Sequence, residues 1–369
     1  MTLDDLKQIC KPIEENPLWH LCRSNTENAM SNFWAYLVEY VADNNLAIIL
    51  GDEYNKTVKK IEREKNHMDL QIWLEGDNYP SIIIENKFKS LDNQEQIEKY
   101  YKSITQNRKY KKFNPQPKFI LITPSGTHEF EREYLDWKSY EDIYKNIKSF
   151  FEKTDKEQSE IIKEYLKLLE QIINLAKNCN KGYNLCLLWK SEKESDNANE
   201  QVTFLTENKL YAFIAKNLTR RYEQENWREK YTNCSIKETE YGFTNGTPLF
   251  SWKWELNSEY LYGIQVQNGQ LRYFIEQKDP NKKIVEKIEG KRQYRLKDTN
   301  AITQLNEWLK NSESTINIEE FLAIKEGDII PNINQFSGFF IYKYIEVTNQ
   351  EDLEKRLQKV LNYIGRESK

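Results

Sequence analysis

Covalent and metallic staples are scarce in this chain. Its 369 residues include five cysteines, Cys10, Cys22, Cys179, Cys186 and Cys234, an odd number with no CxxC spacing. Neither a disulfide framework nor a thiolate zinc site is expected from that pattern, which fits a reducing compartment. Long apolar runs are missing too. No stretch approaches the roughly 20 residues that a membrane helix needs, and the N-terminus shows no signal-peptide pattern. These absences predict a soluble, cytoplasmic protein with no membrane partner. Net positive charge is also lacking: the formal charge is −4, so any nucleic-acid surface must be local. There is no internal repeat and no low-complexity tract. The remaining composition, 38% hydrophobic and 30% charged, suits one large or two medium domains with real cores.

The informative stretch runs from His67 to Tyr100, HMDLQIWLEGDNYPSIIIENKFKSLDNQEQIEKY. It reads as strand, turn, strand and helix. Asp69 to Leu74 is a β-type run, Gly76-Asp77-Asn78 supplies turn chemistry, and Ser81 to Ile84 is β-branched and ends in Glu85-Asn86-Lys87. A hairpin symmetric about Asp77 sets Asp69 opposite Glu85, on one face of the pair. Lys87, two residues further on, shares that face. Two carboxylates that close repel, and one tends to hold a proton. A hard divalent cation removes the conflict, since Mg²⁺ takes one or two carboxylates plus water and substrate phosphate. A solvated surface hairpin is the alternative. Against it, Ile82-Ile83-Ile84 is apolar on successive residues, as in a strand covered on both faces.

Asp69, then Ile-Ile-Ile-Glu85-Asn86-Lys87, then a helix with Gln96 and Tyr100, resembles the core of the PD-(D/E)XK nuclease superfamily over roughly residues 26–150. The resemblance implies a restriction-endonuclease-like fold of α/β (α+β) class, with a mixed central sheet flanked by helices. It also implies Asp69 and Glu85 as metal ligands for Mg²⁺ or Mn²⁺, with the Asn86 carbonyl as a third and Glu27 on the leading helix as a fourth. Lys87 would orient the attacking water and counter charge on phosphate, and Gln96 matches a glutamine many members carry on the next helix. One departure is plain: Met68 stands where the motif's proline would precede Asp69.

The flanking segments supply context. Thr2 to Leu6 could open a short capped helix, followed by a loop with Pro12 and Pro17. Thr26 begins a stronger helix whose Phe33, Trp34, Leu37, Val38 and Val41 form an apolar stripe. Glu27 in its first turn reads equally as a carboxylate favoured by the helix dipole. Trp34 and Trp73 read as core. Residues 56–66 suit the strand before the hairpin. His67 is either a structural histidine or a ligand on the face of Asp69. A helix from Asp92, capped with Glu95, is expected to reach about Tyr110. From Lys87 to Lys118 nine basic residues face three acidic ones. Lys99, Lys102, Arg108, Lys109, Lys111 and Lys112 are candidates for phosphate contacts, and Tyr100, Tyr101 and Tyr110 for base stacking. Lys118 to Thr123 reads as the strand that ends the sheet. Trp137 and Tyr140 through Phe150 then read as a helix, and a long one follows at 156–177, with Ile161, Tyr165, Leu168, Ile172 and Leu175 on one side.

A boundary near residue 180 divides a nuclease-like domain (1–180) from an α+β domain (181–369). The second domain reads as a polar linker at 191–200, a helix at 202–225 ending in Arg220-Arg221, and aromatic strands around Ser251–Glu255, Leu261–Val266 and Leu271–Ile275. Gln267-Asn268-Gly269-Gln270 is a hairpin turn. A helix at 301–310, a strand at 339–347 and a helix at 351–364 complete it. Its aromatics form either core or a recognition surface, and a homo-oligomer or protein partner through this domain stays open. The reading is a metal-dependent nuclease, with DNA preferred, in phage defence, restriction or repair. The alternative is an inert nuclease-fold module that binds nucleic acid or a partner protein.

Overall fold

The computed structural model describes residues 3–88, 94–124, 132–179, 210, 213, 238–244, 247–255, 257–267, 270–279, 281–288, 294–312, 329–330, 334–337, 339–347 and 350–367. The chain divides into two compact units, one of residues 1–182 with 204–217, the other of residues 183–203 with 218–369. The fold is mixed α/β, with a mixed five-stranded sheet flanked by helices in the first unit and a C-terminal unit built on antiparallel sheet.

In the first unit, α1 (Leu3–Glu15) and α2 (Pro17–Cys22) precede α3 (Thr26–Tyr36), which continues as a π-turn at Leu37–Val41. Pro12 lies inside α1, not in the loop expected from it. Its ring is exposed, and burial of Cys10 and Ile13 holds the helix through the missing hydrogen bond. Pro17 takes the first helical position of α2, where its absent N–H costs nothing, and the Asn16 side chain caps Leu18 N at 2.9 Å. After the short α4 (Ala47–Leu50) come β1 (Val58–Lys65), β2 (Met68–Leu74) and β3 (Ile82–Asn86). β1, sequence VKKIEREK, is a sheet edge guarded by charge.

Leu70 pairs with Ile84, Gln71 with Ile83 and Ile72 with Ile82. This is the register centred on Asp77. Gly76 turns the hairpin at φ +86°, a conformation that suits a residue without Cβ. β3 is buried along its whole length and runs parallel to β4 (Lys118–Thr123). The sheet does not stop there. β5 (Leu135–Ser139) adds in parallel beyond β4, so Trp137 belongs to a strand. Its short Leu-Asp-Trp-Lys-Ser sequence has no apolar alternation, as befits a half-covered edge. Ser139 then caps α6 (Tyr140–Thr154) in a reciprocal box with Asp142.

Between β3 and β4 lies α5 (Gln94–Thr105). It ends five residues short of the expected Tyr110. The Thr105 hydroxyl bonds back to Tyr101 O at 3.0 Å, and the Asn107 side chain accepts from Lys109 N at 2.9 Å, a turn that competes with helix. Asp92 and the Glu95 side chain of the expected cap lie outside the described residues. α5 packs Ile97, Tyr100 and Ile104 on Ile83, Phe119, Leu121 and Leu135. Each such burial contributes about 1.5–3 kcal/mol. α3 packs on β2 and β3, and α7 (Glu160–Cys179) closes the unit. Trp34 is fully buried and donates to Tyr165 Oη at 2.6 Å. Ile161 is exposed, and Ile162 takes the inward position instead.

The second unit has a six-stranded antiparallel sheet, ordered β13-β14-β9-β8-β7-β6, and a three-stranded sheet of β10 (Val285–Lys287), β11 (Tyr294–Leu296) and β12 (Ile329–Ile330). The larger sheet comprises β6 (Glu238–Thr244), β7 (Thr247–Glu255), β8 (Tyr260–Gln267), β9 (Gln270–Gln277), β13 (Asn334–Ser337) and β14 (Phe340–Glu346). Gln267 pairs with Gln270 across the expected hairpin. Among the described residues this unit's helices are α8 (Thr299–Ser312) and α9 (Gln350–Glu367). Trp308 of α8 packs against Tyr262 and Tyr273, so those aromatics are core. The linker at 191–200 and Arg220-Arg221 lie outside the described residues, as does the helix at 202–225 apart from Leu210 and Phe213. No helix among the described residues is long and apolar enough to cross a membrane.

Candidate active site

The ends of β2 and β3, the start of α3 and the first turns of α5 meet around four ionisable side chains. Asp69, Glu85 and Lys87 are only 9%, 4% and 6% exposed, which is unusual for residues of this charge. The hairpin register places the two carboxylates side by side. Asp69 N–H points to Glu85 Oε2 at 3.5 Å, and Asn86 N–H donates to Asp69 Oδ2 at 2.7 Å. Ser31 Oγ lies 3.5 Å from the same Asp69 oxygen. Lys87 Nζ donates to Glu85 Oε1 at 2.9 Å and to Gln96 Oε1 at 3.0 Å.

Burial dominates the electrostatics. Desolvation pushes the Asp69 carboxyl up to about 7, with repulsion from Glu85 adding to it and the Asn86 N–H opposing it. Glu85 is raised for the same reason, against the pull of Lys87. For Lys87 desolvation acts downward, but the combined attraction of Glu85, Glu27 and Asp69 outweighs it, so its ammonium is held above the usual value. Glu27 is half-buried in the first turn of α3 and close enough to influence both Glu85 and Lys87.

Gln96 is fixed from two sides. Its amide donates to Tyr100 Oη at 2.7 Å, and Tyr100 in turn donates to His67 O at 2.7 Å. This overturns the stacking role expected of Tyr100, which is 7% exposed and packs on the α5 core. His67 is also relocated. It sits in the β1–β2 turn at φ +66°, exposed, and contributes its carbonyl to Tyr100. Tyr101 stacks on Tyr134 at 3.9 Å, and Tyr110 packs against the same core. The Asn86 side chain is committed to structure: it donates to Glu27 O at 3.0 Å and accepts from Tyr140 Oη at 2.9 Å.

Lys99, Lys102, Arg108, Lys109, Lys111 and Lys112 are all exposed. Lys99 follows Gln96 within one helical turn. Arg108 to Lys112 begin past the end of α5, and the helical rise from Gln96 to Thr105 alone is about 13 Å at roughly 1.5 Å per step. The exposed basic residues therefore extend along and beyond α5, with Lys109 over Tyr110 and Lys112 over Phe113 past its end.

Two residues at this site escaped the sequence reading. Ser31 faces Asp69 and bonds Glu27 O at 2.9 Å, and its only signal was a spacing of four from Glu27. Tyr140 is fully buried and holds Asn86 from α6. No local pattern announces that long-range contact.

No group of three or more His, Cys, Asp and Glu side chains among the described residues is arranged to hold a metal ion by itself. The donor chemistry nevertheless fits a divalent cation. Three buried or half-buried carboxylates lie about one ammonium, and two of the three are pushed toward protonation chiefly by burial. A hard dication that keeps several waters needs only one or two of those carboxylates.

A carboxylate on one strand beside Glu-x-Lys on the next, within a mixed sheet flanked by helices, is consistent with a nuclease-type α/β core. A family model described as the PD-(D/E)XK nuclease superfamily matches residues 18–167, in the N-terminal half of this chain. No curated protein and no solved structure matches the chain.

Proposed function

We propose that the protein is a metal-dependent nuclease hydrolysing phosphodiester bonds through Asp69, Glu85, Lys87 and Gln96. The observation that carries this reading is a buried ammonium, Lys87, held by Glu85 at 2.9 Å and Gln96 at 3.0 Å beside a second carboxylate. A structural salt bridge has no use for the additional acid, whose burial is costly unless it is paired.

Asp69 and Glu85 would hold the cation, Mg²⁺ or Mn²⁺, with the Asn86 carbonyl and Glu27 as further donors. When bound, such a cation lowers the pKa of water and offsets charge on the phosphate. The carboxylates of Glu85, Glu27 and Asp69 favour the charged form of Lys87. It donates hydrogen bonds to the attacking water or to a non-bridging phosphate oxygen, where negative charge grows as the water oxygen bonds phosphorus and the ester bond breaks. Gln96 aims the ammonium, and the Tyr100–His67 relay aims Gln96. Lys99, Lys102, Arg108, Lys109, Lys111 and Lys112 would track the substrate backbone.

Kinship favours DNA as the substrate, and such an activity serves restriction, phage defence or repair. The test incubates the purified protein with linear, circular and single-stranded DNA and with RNA, in EDTA and in Mg²⁺ or Mn²⁺. Cleavage is expected only with the metal, and Lys87→Ala should lower it by about 10²–10³-fold. Cleavage by Lys87→Ala at the wild-type rate would refute the mechanism.

A further inference from the structure

The second unit carries a cation for which the fold alone gives no reason. Arg272 lies on β9, between Gln265 of β8 and Tyr344 of β14 in register. Its guanidinium is half-buried, and desolvation lowers its pKa. A buried arginine usually pairs with a carboxylate, because an unpaired buried charge is expensive. Here the partners are neutral. Nε donates to Gln270 Oε1 at 2.9 Å, and Nη1 donates to Gln265 Oε1 at 2.9 Å and to Gln267 Oε1 at 2.5 Å.

Those three bonds use the Nε–H and both Nη1 hydrogens of the five-donor fork. Neither Nη2 hydrogen has a partner among the described residues. The nearest carboxylate in register, Glu346, sits opposite Gln270, is exposed and makes no ion pair with Arg272. Beneath the guanidinium lies the Tyr342 ring, 4.8 Å from centroid to Cζ, which fixes its plane. Tyr344 stands beside it, 36% exposed. Gln265 and Gln267, at 9% and 5% exposure, are themselves buried polar groups spent on aiming this cation.

We infer that Arg272, Tyr342, Tyr344 and the glutamines Gln265, Gln267 and Gln270 form a binding site for single-stranded nucleic acid on the six-stranded sheet. The Nη2 edge takes a phosphate oxygen, and the partly exposed Tyr344 ring takes a base. An aimed guanidinium next to an aromatic on the same sheet face supplies the two contacts that unpaired nucleic acid offers, charge and a π-face. The choice of nucleic acid over another polyanion rests on the nuclease reading of the first unit.

The test measures binding of a fluorescein-labelled oligothymidylate to the full-length protein by anisotropy, in EDTA so that no metal-dependent cleavage intervenes. Arg272→Gln should weaken binding about tenfold and reduce the log–log salt slope by about one. Tyr344→Ala, at an exposed position that leaves the fold intact, should weaken it several-fold. Photocrosslinking with a thiothymidine oligonucleotide should label the peptides that contain residues 270–277 or 340–346. Wild-type affinity in both variants overturns the inference, as does competition by polyglutamate equal to that of unlabelled oligonucleotide, which would assign the site to an acidic peptide. A protein that binds but never cleaves in Mg²⁺ refutes the nuclease reading while supporting this one.

Discussion

Asp69→Asn should make the metal-free protein more stable. The ionised Asp69 carboxylate sits buried against Glu85, and its pKa rises from 3.8 to about 7. Between those two values the folded state binds more protons than the unfolded chain, so stability falls as pH rises through that window, and the full cost stands above about pH 7. A rise of that size corresponds to a ceiling of about 4 kcal/mol. Part of it is shared with Glu85, and relaxation at the rim of the sheet removes more, so about 2 kcal/mol is the expected gain at pH 8. The amide keeps an oxygen for Asn86 N–H, now at 2.7 Å, and turns a repelling oxygen into an NH₂ that can donate to Glu85.

Thermal melts followed by circular dichroism in EDTA read this directly. At pH 8 the Asp69→Asn protein should melt about 5 °C higher than wild type, at the usual few degrees per kcal/mol for a unit of this size. At pH 5 the gap should shrink, because wild-type Asp69 is then mostly protonated. Adding Mg²⁺ should stabilise wild type and leave the variant unmoved, and cleavage by the variant should be lost. A variant less stable than wild type at pH 8 in EDTA, or a gap that does not depend on pH, would refute the claim that an uncompensated carboxylate pair sits at the hairpin end.

Three further outcomes follow from other parts of the first unit. Tyr140→Phe removes the hydroxyl that donates to Asn86 Oδ1 and leaves a buried acceptor unsatisfied, so it should cost about 1–2 kcal/mol in a denaturant melt. Pro12→Ala restores the missing hydrogen bond inside α1 at an exposed position and should raise the midpoint, with a gain below about 3 kcal/mol. A melt unchanged or lowered would show that the proline's stiffening of the unfolded chain outweighs its helix penalty. Lys111→Glu combined with Lys112→Glu should weaken duplex DNA binding in EDTA, by a factor that shrinks as salt rises. Equal weakening at low and high salt would remove these lysines from the backbone track.

The hairpin was legible in the sequence because every term pointed one way. Gly76 allows the turn, the Ile82-Ile83-Ile84 run demands burial on both faces, and the period of two then sets which charges meet. The edges of the sheet were harder to read. β5 has five residues, two of them charged and only Leu135 buried, so its strand state comes from pairing with β4 and not from its own pattern. Tyr100 misled for a related reason. Its helical position, one turn after Gln96, was apparent, but the direction of its hydroxyl is decided by His67 O, which reaches it only through the left-handed β1–β2 turn. The basic residues after Thr105 read as helix because lysine and tyrosine carry no stop signal. Asn107 supplied one through its side chain.

The site residues divide by what fixes them. Asp69, Glu85 and Lys87 are placed by strand register, so a slip of one residue in the hairpin would put Asp69 on the opposite face from Glu85 and Lys87. Gln96 arrives on a different element and is oriented by Tyr100 rather than by the sheet. The lysine therefore has one partner set by β-geometry and one set by helix packing, at 2.9 and 3.0 Å. A perturbation of α5 that spares the sheet should consequently loosen the ammonium without disturbing the carboxylate pair. Under the proposed mechanism, holding a cation and aiming charge at phosphate would be built from separable parts of the fold, and only the first would be encoded within a single hairpin.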